Sequence, residues 1–175
     1  MLLLRKILTL EAMQKAIFLD RDGVLNQEVG DYIKRFEDFK LLEHIYEGLT
    51  LFSDNGYLLI VITNQGGIAK GEYTQETLST IHDFMMSELR KHGIEITEIY
   101  YCPHHPIVSH CLCRKPGSLM VEKAVSKYQI DPKKSYFIGD KQRDIDCGET
   151  VGVNGILIES NENWLPHAQK ICSKA

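Results

Sequence analysis

The apolar pair Phe18-Leu19 delivers Asp20 and Asp22 into a turn at Gly23. Carboxylates at i and i+2 leave a strand on the same side. Ending the strand there lifts both off the sheet edge, where a phosphate and a divalent cation can meet them. In such a pair one carboxylate attacks phosphorus and its neighbour moves protons. Alone, the pair reads equally as a calcium or structural site, because turns are rich in Asp.

Three later segments bear on that choice. Leu58–Ile62 is an apolar run that finishes in Thr63-Asn64-Gln65-Gly66-Gly67. A hydroxyl followed by a glycine-rich turn offers a side-chain donor and several backbone N–H groups to an anion; the alternative is a plain strand-to-helix turn. Arg114-Lys115-Pro116-Gly117 precedes a helical pattern. Lys115 there either neutralises a phosphate and the attacking carboxylate or is a solvated surface lysine. Phe137-Ile138-Gly139 ends in Asp140, a magnesium ligand or a helix N-cap. Magnesium often takes only one or two carboxylates beside phosphate and water, a set that Asp20, Asp140 and the Asp22 backbone carbonyl supply. Asp144 and Asp146 read as a solvated first helical turn rather than as ligands.

A second constellation is Cys102, His104, Cys111 and Cys113. Three thiolates and one imidazole make the closed tetrahedral set of structural zinc, without an open position for water. His105 and His110 are rivals for the imidazole, and chance clustering of free thiols is the alternative. A loop of this size has too little core to order itself, so metal binding would supply its folding free energy, about 10–16 kcal/mol in small zinc peptides. Its place just ahead of Lys115 makes it a rim for the phosphate site.

The elements that must position these groups alternate. Ala16–Asp20, Leu58–Thr63, Glu98–Cys102, Ser135–Asp140 and Gly155–Ile158 are short apolar runs, as strands buried on both faces require. Between them Leu78, Ile81, His82, Met85 and Leu89 repeat at helical spacing, with Thr74 an N-cap and Gly93 a stop. Val121, Ala124, Val125 and Tyr128 follow Ser118 in the same way, and Ile45, Leu49 and Phe52 precede Asn55-Gly56. This predicts an α/β fold, a parallel sheet with helices on both faces and its site at the C-terminal strand ends.

Bulk properties narrow the class. A length of 175 residues, 43% hydrophobic and 25% charged, predicts one globular domain over 1–175. A net charge of −4 gives no electrostatic footprint for nucleic acid, and no apolar run approaches a membrane span. Five cysteines, three of them within 102–113, predict a metal cluster in a reducing compartment rather than a disulfide framework, hence the cytoplasm. Residues 1–13 read as a disordered or upstream-start extension, with Met13 an equally good beginning. The oligomeric state is left open, with a monomer as one option.

In their order, the phosphate segments resemble the haloacid dehalogenase (HAD) superfamily of phosphatases over residues 16–159. The resemblance implies a three-layer Rossmann-type fold without a large cap domain, since the stretch between Asp20 and Thr63 has no room for one. It implies Asp20 as nucleophile, Asp22 as general acid/base, Thr63 and Lys115 on the phosphate, and magnesium at Asp20, Asp22 and Asp140. Val24 stands where members usually carry Thr. With the zinc loop, the chain looks like the group that joins heptose 1,7-bisphosphate 7-phosphatases and histidinol-phosphate phosphatases. Tyr100-Tyr101-Cys102-Pro103-His104-His105-Pro106, Thr63–Gly71 and Cys111–Pro116 resemble the heptose members. The short span from His104 to Cys111 is closer to the histidinol members, and Gly117-Ser118-Leu119-Met120 departs from the usual pattern. The heptose resemblance implies a phosphorylated sugar that loses its C7 phosphate and keeps that on C1, with Asn64 and Arg114 among the substrate-binding residues and Lys70 a weaker candidate. Histidinol phosphate is the alternative substrate, and a zinc-organised binding module is the alternative class.

Overall fold

Alternation within each strand explains how the sheet is covered. In β1 (Lys15–Leu19) Ala16 and Phe18 face one way, Ile17 and Leu19 the other, and all four are fully buried. The computed structural model describes residues 13–173, so the extension expected at 1–13 lies outside the described residues apart from Met13. β2 (Tyr57–Asn64), β3 (Glu98–Cys102), β4 (Tyr136–Gly139) and β5 (Asn154–Leu157) complete one parallel sheet in the order β3-β2-β1-β4-β5. The five expected runs therefore all become strands, Glu98–Cys102 with the expected bounds and the other four within one residue at each end.

The two strand faces carry separate cores. Ile17, Leu19, Leu59, Val61 and Ile138 pack under α1 (Ile45–Asp54), α2 (Gln75–Lys91) and α5 (Leu165–Cys172). Ala16, Phe18, Ile60, Ile62 and Phe137 pack under α3 (Leu119–Tyr128) and α4 (Gln142–Glu149). Thr74 caps α2 by accepting from the Thr77 N–H at 3.2 Å, and Gly93, with φ +73°, follows the helix. Trp164, at the start of α5, is fully buried. Its indole N–H donates to the Val24 carbonyl at 2.9 Å, its ring stacks on Phe52, and a side chain at Gly48 would collide with it. Burying an aromatic ring while satisfying its N–H ties α5 to the segment just after Gly23.

The sheet order reverses direction at β1, whose neighbours are β2 and β4. Open parallel sheets bind ligands in the crevice at such a switch point, outside the C-terminal strand ends. Asp20, Thr63 and Asp140 stand immediately at those ends. Between β1 and β2 lie a loop, a short 3-10 turn at Phe36–Asp38 and α1.

Candidate active site

Asp20 leaves the end of β1 with one oxygen held and the other free. Oδ1 accepts from the Arg21 N–H at 2.7 Å and lies 2.8 Å from the Lys115 ammonium; Oδ2 has no donor among the described residues. Asp140, at the end of β4, repeats the pattern. Its Oδ2 accepts from the Ser160 hydroxyl and lies 3.0 Å from the Lys141 ammonium, while Oδ1 has no donor among the described residues. Both side chains are almost wholly buried yet line a cavity of about 500 Å³. Two buried carboxylates with one open oxygen each suit a hard divalent cation, which takes oxygen ligands. Burial pushes Asp20 up to about 7, against the pull of Lys115 and with a further push from Asp144. A cation beside it would favour the ionised form.

Lys115 is not a surface lysine. Its ammonium lies 2.8 Å from Asp20, 2.8 Å from Asp144 and donates to the Ile62 carbonyl at 2.7 Å. The Ile62 carbonyl takes a hydrogen bond from it, and the two carboxylates are its ion-pair partners. Burial alone would lower its pKa, but Asp20 and Asp144 together carry it above the usual value. Its direct partners here are the carboxylates, so any phosphate contact must replace one of them.

Asp144 corrects the sequence expectation. It is completely buried rather than solvated, because Gly139 lacks the Cβ that would collide with it. Its Oδ2 also accepts from the Lys141 N–H at 3.1 Å, so Asp144 caps α4 and Lys141, not Asp140, occupies the N-cap position. Oxygens of Asp20, Asp140 and Asp144 lie within 4.8 Å of one another, but Asp144 is already committed to Lys115. Asp146 is exposed, as expected.

Asp22 differs from both open carboxylates. Arg21 donates to it through Nε at 3.2 Å and Nη2 at 2.8 and 3.0 Å, Asn26 at 3.0 Å and Gln65 at 2.9 Å. Burial opposes its ionisation, but Arg21, Asn26 and Gln65 hold its pKa below the ordinary carboxylate value. Gln65 also donates to Thr63 Oγ1 at 2.9 Å and accepts from the Tyr73 hydroxyl at 2.6 Å. Thr63 lines the cavity, and its hydroxyl donates to no acceptor among the described residues. Arg21 meets His82 Nε2 at 3.3 Å, and burial together with that guanidinium lowers His82 to about 3, so its ring is neutral.

Asn64 also departs from expectation. Its amide donates to the Lys115 carbonyl at 3.1 Å and accepts from the Lys115 N–H at 3.0 Å. Although it borders the cavity, its side chain clamps the backbone that carries Lys115 rather than standing free for a phosphate. Arg114 lines the cavity and donates to the His104 carbonyl at 3.0 Å. Lys141 and Arg143 line the same cavity. Lys70 is exposed, with its ammonium over the Tyr32 ring instead.

Cys102, His104, Cys111 and Cys113 converge. Cys102 Sγ lies 3.6 Å from Cys111 Sγ and 3.2 Å from Cys113 Sγ, and His104 Nδ1 lies 3.6 and 3.4 Å from Cys102 and Cys113. No pair is at disulfide length. A tetrahedron with zinc bond lengths of about 2.3 Å to sulfur and 2.0 Å to nitrogen has edges of about 3.5–3.8 Å, close to these separations. His105 and His110 lie outside the cluster. The loop is fastened to the phosphate turn: Gln65 N donates to the Cys102 carbonyl at 2.8 Å and Ala69 N to the Pro103 carbonyl at 3.2 Å. A side chain at Gly66 would press on Arg114 and the His104 carbonyl.

The chain is similar to proteins of known family. A family model described as HAD-hydrolase-like matches residues 112–171. D-glycero-alpha-D-manno-heptose-1,7-bisphosphate 7-phosphatase of Photorhabdus laumondii is 42% identical over 79% of this chain and 79% of its own. The D-glycero-beta-D-manno counterpart of Haemophilus ducreyi is 40% identical over 80% of each. The chain belongs to the heptose-1,7-bisphosphate 7-phosphatase family of HAD-like hydrolases. A solved D,D-heptose 1,7-bisphosphate phosphatase from B. bronchiseptica, complexed with magnesium and phosphate, superposes with a TM-score of 0.79 at 29% identity, covering 93% of this chain and 87% of that one. The expected fold class, a three-layer HAD-like α/β fold, is thereby established, as is the phosphatase class of this heptose-bisphosphatase family member.

Contributors to the site that were not assigned from the sequence include Arg21, Asn26, Gln65, Lys141, Asp144 and Ser160. The signal for Gln65 was its place in the Thr63–Gly67 turn, and that for Asp144 was the glycine at 139. Arg21 and Ser160 carried none.

Proposed function

We propose that this chain removes the C7 phosphate of D-glycero-D-manno-heptose 1,7-bisphosphate and leaves the C1 phosphate in place. The observation that supports this most is the open-oxygen pair, Asp20 and Asp140, beside a cavity that also holds Arg114, within a chain of this family. One domain carries the whole site, and the enzyme acts in the cytoplasm. Histidinol phosphate remains the second candidate because the span from His104 to Cys111 is short.

Asp20 attacks the transferred phosphorus through its open oxygen and forms an aspartyl phosphate, dividing one hard displacement into two. Lys115 and the Arg21 N–H fix the other oxygen, so the nucleophile has a single orientation. Magnesium, held by Asp20, Asp140 and the Asp22 backbone, would neutralise phosphoryl charge when bound. The Thr63 hydroxyl donates to a phosphoryl oxygen. Asp22 enters the first step in its acid form, protonated from solvent, and gives that proton to the leaving alkoxide. The carboxylate so formed, which the Arg21 fork favours, takes a proton from the attacking water in the second step and returns to the acid.

Zinc in the Cys102–His104–Cys111–Cys113 site would be structural, holding the loop that seats Arg114 against Gly66. Metal analysis after desalting is expected to find about one zinc per chain, with the stoichiometry lost in Cys111→Ser along with part of the activity. Zinc-free protein of full activity would count against this role.

Arg114 is the cation best placed for the retained phosphate, because a guanidinium fork matches phosphate geometry. Arg114→Ala should lower kcat/KM for the heptose bisphosphate by about 10–150-fold, the equivalent of about 1.5–3 kcal/mol for a lost charge-assisted hydrogen bond. The loss on p-nitrophenyl phosphate should be much smaller. Phosphate release from both heptose anomers and from histidinol phosphate, compared in the parent enzyme, tests the substrate directly. Preference for histidinol phosphate would reject the heptose reading, and equal losses for Arg114→Ala on both substrate types would reject its specificity role.

A further inference from the structure

We infer that Ser160 and Asn161, just beyond β5, are positioning residues that lock the cation-facing carboxylate of Asp140 and the cavity loop at Glu28 into one arrangement. The inference rests on the reading of Asp140 as a divalent-cation ligand.

The pairing of β5 with β4 continues past its last residue, since Ile158 N donates to the Gly139 carbonyl at 3.0 Å. That brings the next residues beside Asp140, which directly follows Gly139. Glu159 and Glu162 then close a tight turn through Glu162 N to the Glu159 carbonyl at 3.0 Å and Glu159 N to the Glu162 carboxylate at 2.7 Å. Asn161 sits in this turn with φ +67°, a left-handed conformation that asparagine tolerates better than most residues.

From that turn, two neighbouring side chains reach different parts of the site. The Ser160 hydroxyl donates to Asp140 Oδ2 and accepts from the Lys141 ammonium at 3.0 Å. Lys141 itself lies 3.0 Å from the same Asp140 oxygen. Ser160 and Lys141 thus hold one oxygen from two directions and leave Oδ1 as the open one. Gly23 closes on the held oxygen, Oδ2, from a third side, since a Cβ there would stand 2.7 Å from it.

Asn161 makes the other attachment with its backbone N–H and both polar atoms of its side chain. Its N–H donates to the Gly23 carbonyl at 2.8 Å, its Oδ1 accepts from the Glu28 N–H at 2.7 Å, and its Nδ2 donates to the Glu28 carbonyl at 3.2 Å. Glu28 lines the cavity, and its own carboxylate accepts from Gly30 N at 2.6 Å. One short turn therefore fixes both the metal-facing carboxylate and the opening of the substrate loop.

Groups that orient a ligating carboxylate through hydrogen bonds commonly change metal affinity by about 10–100-fold when removed. The test uses Mn²⁺ as probe, measured by the loss of its free EPR signal on the intact protein without substrate. Ser160→Ala should weaken Mn²⁺ binding by about 10–100-fold, and Ser160→Thr should restore it. Asn161→Gly retains the left-handed turn but removes its side-chain contacts. It should raise KM for the phosphorylated substrate several-fold while moving Mn²⁺ affinity less than Ser160→Ala does.

Asp140→Asn separates the two ideas. If it abolishes Mn²⁺ binding while Ser160→Ala binds like the parent, the positioning role is overturned and the cation reading stands. If Asp140→Asn binds Mn²⁺ like the parent, the cation reading falls and this inference falls with it. Thermal unfolding of each variant accompanies the titrations. Weakened Mn²⁺ binding in Ser160→Ala at parental Tm, reversed in Ser160→Thr, supports the positioning role.

Discussion

Asp20→Asn is expected to lower turnover on the order of 10⁴-fold or more, the scale seen when a covalent nucleophile is removed. An amide cannot form the acyl phosphate, and no other described carboxylate takes its place. Asp144 is bound to Lys115, Asp22 is enclosed by Arg21, Asn26 and Gln65, and Asp140 stands on the neighbouring strand. The fold should persist, because Lys115 keeps Asp144 and the Ile62 carbonyl as partners. Steady-state assays on a preparation free of deamidated protein decide the matter. Turnover within tenfold of the parent would remove Asp20 from the nucleophile role.

Lys115→Met should damage stability and turnover together. The substitution keeps most of the volume but leaves Asp20 and Asp144 buried without their shared cation. Breaking a buried pair by removing one partner costs about 3–5 kcal/mol. For a chain of this size that corresponds to a fall in Tm of about 6–20 °C. Adding Asp144→Asn removes one stranded charge and should recover part of the stability without restoring turnover, since Asp20 still lacks its orienting ammonium. A single Lys115→Met variant with parental Tm would show that the three groups are not a coupled unit, and parental kcat would show that Lys115 has no part in the reaction.

The contrast between these residues shows what sequence order can and cannot reveal. Strands were legible because burial on both faces demands short, continuous apolar runs, as in Leu59–Ile62, whose side chains serve alternate cores. Helix α2 was legible from its period, cap and stop; the short α5 offered no comparable set of signals. Asp20 and Asp140 were legible because each follows such a strand, and the cysteines because three of them crowd into 102–113. The direction of a side chain in a loop was not. Asn64 appears equally suited to a phosphate or to a neighbouring backbone, and only the approach of the 114–117 segment decides for Lys115. Asp144 looks solvated in a polar helical turn until Gly139, on another element, opens space beneath it. Arg21 lies between two catalytic candidates, yet its burial depends on His82 from α2 and Phe39 from the loop between β1 and α1.

The sole tryptophan offers a consequence of another kind. Trp164 is sealed from solvent and bonded to the carbonyl of Val24, next to the turn that follows Asp20 and Asp22. Its fluorescence is therefore an intrinsic optical gauge of that junction, with no competing indole and no attached dye. Undocking of α5 would wet the ring and shift its emission to the red, while chemistry confined to the open cavity would leave the spectrum unchanged.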